Sequence, residues 1–208
     1  MGTIRITSSP FIFYLLGGKP RKISFKEIFD LNDEDYNKIF SSQVFFKSNK
    51  KKIIIHTGAS WPMMKWGNDR WVDVLKKINI MGEYDFVFIG VEKDNKDYNY
   101  ISSLVDFKLY SLISKINVWE LTTLFNSVNY FIGIDSGPGN IAHLVGLRSI
   151  IIYGPGPHTF MSDDENDIIL DKSNGRGVYQ RFFLKKNSFI KKITANEVYE
   201  AFKKITNS

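Results

Sequence analysis

The chain has 208 residues, 43% hydrophobic and 15% aromatic, which is enough for one sizeable core and too apolar for a disordered chain. Its formal net charge of +6 comes largely from lysine pairs and triples (Lys50–Lys52, Lys76-Lys77, Lys185-Lys186, Lys191-Lys192, Lys203-Lys204) that are scattered along the chain. They read as solvated surface, with an anionic membrane or anionic substrate as the functional alternative, and nucleic acid is not expected because no recognisable binding module is present.

Residues 1–31 carry an apolar run, Phe11–Leu16, and a turn signal at Gly17-Gly18-Lys19-Pro20. Asn32 or Asp33 caps an expected helix that runs to about Phe40. Asn49–Lys52 reads as a basic connector. From there the pattern becomes regular. Ile53–Thr57 is a β-branched strand, Gly58–Pro62 a turn, and Asn68–Asn79 an amphipathic helix with Trp71, Val74, Leu75 and Ile78 on one face. Tyr84–Ile89 is a strand closed by Gly90, Asp94–Val105 a helix, Phe107–Leu112 a strand and Val118–Ser127 a helix. Asn129–Ile134 and Arg148–Tyr153 are buried strands on either side of a short helix, Asp167–Leu170 is a last short strand, and Thr194 caps a closing helix over Ala195–Ile205. Gly175–Gly177 falls in a polar loop.

Strand and helix alternating about five times imply an α/β fold, a Rossmann-like doubly wound parallel sheet. Residues 51–208 form this domain and residues 1–50 lead into it. No apolar run is long enough to span a bilayer and no secretory signal is evident, so a cytoplasmic protein is expected.

The turn Asp135-Ser136-Gly137-Pro138 ends one strand and opens a helix, with Pro138 at a favourable first helical position. Asp135 and Ser136 can be helix caps, or they can face a ligand, because the carboxyl ends of strands are where open α/β sheets bind. The free amides of Gly137 and its neighbours suit a phosphate. Gly137-Pro138-Gly139-Asn140-Ile141-Ala142 fits the dinucleotide pattern G-x-G-x-x-A. It lies on a late strand, however, and the next strand ends Ile152-Tyr153-Gly154 without the acid that holds the ribose, which argues against a nicotinamide enzyme. No Walker A motif and no G-x-S-x-G elbow is present.

Other loops add candidates. In Thr57-Gly58-Ala59-Ser60, small side chains let a ligand approach the backbone, and Lys65 can reach a phosphate as a point charge, although such βα loops are common. Glu92 can accept from ribose hydroxyls or simply start a helix. Trp61, Trp66 and Trp71 read as packing residues. The absence of cysteine excludes disulfides, thiolate metal sites and a cysteine nucleophile, and His56, His143 and His158 show no metal-ligand spacing, so no metal or cofactor is expected. In a parallel sheet the loops after residues 57, 89, 134 and 153 share one edge. Together they suit a phosphorylated, hydroxyl-rich ligand such as a nucleotide sugar.

The order IIIHTGAS, KWGNDRW, FVFIG with Glu92, VWELTTLFNSVNYFIGIDSG and IIIYGPG resembles the bacterial heptosyltransferases of glycosyltransferase family nine, over roughly the last three quarters of the chain. The resemblance implies the donor-binding half of a GT-B fold that holds an ADP-activated sugar for inverting, metal-independent transfer to a glycolipid acceptor. This would serve lipopolysaccharide or surface-glycan assembly at the inner face of the membrane. It implies Ser60 and Lys65 on the diphosphate, Glu92 on the nucleoside, Asp135 on sugar hydroxyls, and Ser136 and Gly137 as phosphate donors. Lys65 would also stabilise the departing nucleoside diphosphate. Asn140 stands where the family pattern has histidine, and His143 lies one helical turn later. A family member has an acceptor-binding domain before this one that supplies the general base. On this reading the chain binds donor without turnover and self-associates through the face left uncovered, and the alternative is a non-catalytic nucleotide-sugar-binding module that serves a partner chain.

Overall fold

The structure, a computed structural model, describes residues 43–60, 62–154, 166–173 and 189–207. Six strands form one parallel sheet: β1 (Lys51–His56), β2 (Tyr84–Phe88), β3 (Leu109–Ser111), β4 (Tyr130–Ile134), β5 (Ser149–Ile152) and β6 (Asp167–Leu170). Their order is β3-β2-β1-β4-β5-β6, with every neighbouring pair parallel. The connecting helices are α1 (Asn68–Asn79), α2 (Asn95–Ser103), α3 (Val118–Phe125), α4 (Gly137–Leu144) and α5 (Ala195–Asn207). The fold is therefore the expected doubly wound α/β sheet, with its strand order reversing between β1 and β4.

Strand alternation explains the two cores. Ile53 and Ile55, Phe86 and Phe88, and Ile132 and Ile134 face one side, where they pack with Trp71, Val74, Leu75 and Ile78 of α1 and Val198 and Phe202 of α5. Ile54, Val87, Phe131 and Ile151 face the other, against Leu121, Leu124 and Phe125 of α3 and Ala142 of α4. Central strands buried on both faces carry continuous apolar runs, as Ile53–Ile55, Phe86–Phe88 and Tyr130–Ile134 do. Trp66 and Trp71 meet edge to face with centroids 4.9 Å apart, and the Trp66 indole N–H donates to the Ile193 carbonyl at 2.7 Å. They are core residues as expected, while Trp61 lies outside the described residues.

Helix ends follow their caps. Asn117 Oδ1 accepts from the amides of Trp119 and Glu120 while Glu120 returns a bond to the Asn117 amide, a capping box. Thr194 and Glu197 form the same reciprocal pair at α5. The expected helix near residues 32–40, the Gly175–Gly177 loop and the turn beyond Gly154 lie outside the described residues. Among the described residues, no helix is long and apolar enough to cross a membrane.

One expectation is corrected. Lys52 is neither connector nor solvated surface: it lies inside β1, is buried, and pairs with Asp85 at 3.4 Å. The pattern Lys50–Lys52 hides this because strand pairing, not local charge, places Lys52 opposite Asp85 on β2. Lys51, Lys76, Lys191, Lys192 and Lys204 are exposed, as a solvated surface requires.

Candidate functional site

Strand order places the reversal point at the carboxyl ends of β1 and β4, and the residues there are His56 and the Asp135–Gly137 turn. Ser136 caps α4. Its Oγ donates to the Ile134 carbonyl at 2.9 Å, accepts from the Gly139 amide at 3.4 Å, and lies 3.1 Å from His56 Nδ1. A hydroxyl has one proton and two lone pairs. With the proton on Ile134, His56 must be the donor through Nδ1–H, which fixes its neutral tautomer. Burial holds the imidazole down at about 4, well below its ordinary range; the Asp94 carboxylate opposes that shift and the Lys93 ammonium adds to it. His56 is thus an uncharged part of the floor, a role for which the sequence carried no signal beyond a histidine at a strand end.

With the Ser136 hydroxyl committed, Gly137, exposed at the start of α4, is the residue whose amide is left to meet an anion. Pro138 follows in the first turn and has no N–H to give, while the Asn140 amide is used by the Ser136 carbonyl at 3.1 Å. The Asn140 Oδ1 is buried and has no hydrogen-bond partner among the described residues. His143 does not stand in for it: its Nδ1 binds the Asp167 carboxylate of β6 in a pair whose side chains are 11% and 1% exposed. Asp135 is half-buried, with its amide donating to the Ile152 carbonyl at 3.1 Å. Beside it, burial pushes the Tyr153 phenol well above its ordinary range, and the carboxylates of Asp135 and Asp171 push it the same way.

The loop after β1 is gripped from the loop after β2. Thr57, Gly58 and Ala59 are buried and Ser60 is exposed. Asp94 is buried, accepts from the Val91 amide at 2.9 Å, and packs its carboxylate on the backbones of Gly58 and Gly90. Its Oδ1 has no hydrogen-bond partner among the described residues. Sequence reasoning chose Glu92 and missed Asp94; the available signal was an acid four residues after a strand-end glycine, opposite a second glycine. A Cβ at Gly58 would stand 2.5 Å from Asp94 Oδ2 and 2.8 Å from Oδ1, so Gly58→Ala is expected to destabilise by about 1–3 kcal/mol, read by denaturant unfolding.

Lys65 is not a free cation. Its Nζ is 2.7 Å from Asp97 Oδ2, and the second Asp97 oxygen accepts from Asn68 at 3.1 Å. The lysine side chain is 41% exposed and the aspartate 6%. The ammonium keeps two further N–H donors and is anchored on α2 through Asp97. Glu92 is exposed and lines a cavity of about 720 Å³ beside α2 and β3, together with Asn95, Tyr98, Lys108, Ser111 and Lys115. The other predicted site residues do not line that cavity.

Comparison with known proteins gives one consistent pattern. Residues 18–173 match the family model of glycosyltransferase family 9 (heptosyltransferase). The chain is 27% identical over 144 residues to lipopolysaccharide heptosyltransferase 1 of Campylobacter coli, a match over 66% of this chain and 42% of that protein. The fold resembles the crystal structure of a glycosyl transferase family 9 protein from Veillonella parvula, with TM-score 0.70 and 20% identity over 86% of this chain and 53% of that one. It also resembles the ADP-heptose lipopolysaccharide heptosyltransferase II of E. coli, with TM-score 0.67 and 18% identity over 84% and 52%. The chain spans about half the length of these relatives or less.

Proposed function

Because the chain belongs to glycosyltransferase family 9, we propose that it binds an ADP-activated sugar, a heptose or close relative, at the carboxyl edge of its sheet. This binding serves inverting, metal-independent transfer in lipopolysaccharide or surface-glycan assembly. Residues 51–208 are the donor-binding unit and residues 1–50 lead into it. Support comes from strand order: the loops that carry Thr57–Ser60, the two acids after β2 and the Asp135–Asn140 turn follow the carboxyl ends of the neighbouring strands β1, β2 and β4, with the order reversing between β1 and β4.

Each group has a task that its chemistry fits. Small residues at 57–60 let the diphosphate approach the backbone, and Lys65 offers its two remaining N–H donors. The Gly137 amide at the start of α4 adds a neutral donor with the helix dipole behind it. Glu92 at the cavity rim is an acceptor for ribose hydroxyls, and the buried Asp94 holds the loop in place. Asp135 and the unpartnered Asn140 Oδ1 are acceptors for the sugar. In the transfer step the acceptor oxygen bonds to the anomeric carbon as the bond to the diphosphate oxygen breaks. ADP leaves with the electron pair, and a general-base carboxylate takes the acceptor proton. Lys65 stabilises the charge growing on ADP.

Calorimetric titration with ADP tests the reading, and absence of heat at millimolar ADP would sink it. Lys65→Ala is expected to weaken ADP by about 1–3 kcal/mol, roughly five- to 150-fold, with Asp97 still held by Asn68. The alternative, a non-catalytic module that acts with a partner chain, also predicts ADP binding without turnover by this chain alone. Incubation with ADP-heptose, a glycolipid acceptor and an added acceptor-binding domain of the family, with ADP release as the readout, separates the two.

A further inference from the structure

We propose that Lys93 is a second phosphate-binding cation of the donor site, acting beside Lys65. This rests on the donor-binding reading above and deepens it. Lys93 lies in the short turn Glu92–Asp94 after β2. Its Nζ reaches across to the loop after β1 and donates to the Ala59 carbonyl at 2.9 Å. The ammonium therefore stands over the Thr57–Ser60 loop, although the residue is exposed overall. Its next neighbour, Asp94, packs on Gly58 and Gly90. Two successive residues thus contact adjacent positions of the loop, Gly58 and Ala59.

Charge accounting around that loop singles Lys93 out. His56 is held neutral by burial. Lys65 is balanced by Asp97 at 2.7 Å. No carboxylate lies in ion-pair range of Lys93 among the described residues, and its hydrogen-bond partner is a neutral carbonyl that takes one of three N–H groups. A diphosphate that settles on the loop therefore meets the Lys93 ammonium with two N–H groups left to donate. The same contact masks the Ala59 carbonyl, whose partial negative charge would otherwise face the anion. The site combines Lys65, whose ion pair sets its position, with Lys93, whose hydrogen-bond partner is a neutral carbonyl.

The test compares ADP and AMP binding by calorimetry, across a salt series, for the wild type, Lys93→Met and Lys93→Arg. Circular dichroism checks that each variant is folded. Expected results are a roughly tenfold loss of ADP affinity in Lys93→Met, a smaller loss for AMP, a shallower salt dependence, and recovery to within about threefold of wild type in Lys93→Arg. If the wild type binds ADP and Lys93→Met binds it equally well, the assignment of Lys93 falls while donor binding stands. Equal losses for AMP and ADP in Lys93→Met would make Lys93 a loop clamp only and overturn its phosphate role. A wild type that binds no ADP removes the donor reading and this inference with it.

Discussion

Lys52→Met is expected to lower stability by about 3–5 kcal/mol, seen as a fall in the denaturant midpoint at unchanged slope. The size follows from what the substitution strands. Lys52 and Asp85 are direct partners across the β1–β2 register, and their side chains are 6% and 11% exposed. Among the described residues the Asp85 Oδ2 has no hydrogen-bond partner, so the ammonium 3.4 Å away is what offsets its charge. That ammonium also donates to the backbone carbonyls of Ser48, at 2.8 Å, and Lys50, which tie the entry to β1. Methionine fills similar space but leaves a buried carboxylate and two carbonyls uncompensated. The double variant Lys52→Met, Asp85→Leu removes the stranded charge as well and is expected to recover most of the loss, since well-packed apolar pairs often replace buried ion pairs at little cost. A single variant within about 1 kcal/mol of wild type would show that water reaches the pair and that burial does not govern its energy.

Lys52 also marks where sequence reading stopped. The fold was legible because its signals are local. β-branched runs at 53–57 and 148–153 gave strands, and the spacing of Trp71, Val74, Leu75 and Ile78 gave α1 with its observed bounds. Asp167–Leu170 was read with its observed bounds as well. Strands at 84–89 and 107–112 were read one to three residues long, because terminal apolar residues such as Ile89 and Leu112 remain buried after strand pairing ends. The turn at Asp135 was legible as cap or site, and Ser136 proves to be a cap whose hydroxyl is fully engaged. The pairs that set the electrostatics were not legible. Lys65 with Asp97, His143 with Asp167, and Lys93 with the Ala59 carbonyl join residues 24–34 positions apart. Nothing in the local pattern distinguishes those partners from other acids and carbonyls nearby. Asp94 was passed over because it looks like a helix-start acid, and only the two glycine backbones packed against it show that it is buried.

Acidification from neutral pH is expected to destabilise the domain through His56. Its ordinary pKa is 6.5 and in the fold it is held at about 4. Between those values the unfolded chain binds a proton that the folded chain refuses, so stability rises with pH across the window. The contribution of His56 is complete above about pH 6.5 and is lost progressively as pH falls toward 4, where the loss amounts to about 3 kcal/mol. Desolvation leads the shift, and the Nδ1–H bond to Ser136 does not reverse it, because that bond is made by the neutral ring. Carboxylates also titrate in this range, so the measurement is a difference: denaturant unfolding of the wild type and of His56→Gln at a series of pH values. Glutamine is uncharged throughout and can keep a donor toward Ser136. Whatever its fixed cost, the gap between the two proteins should move in favour of the wild type by about 3 kcal/mol as pH rises through the window. A gap that stays constant with pH would mean that His56 takes up its proton in the folded state as easily as in the unfolded one.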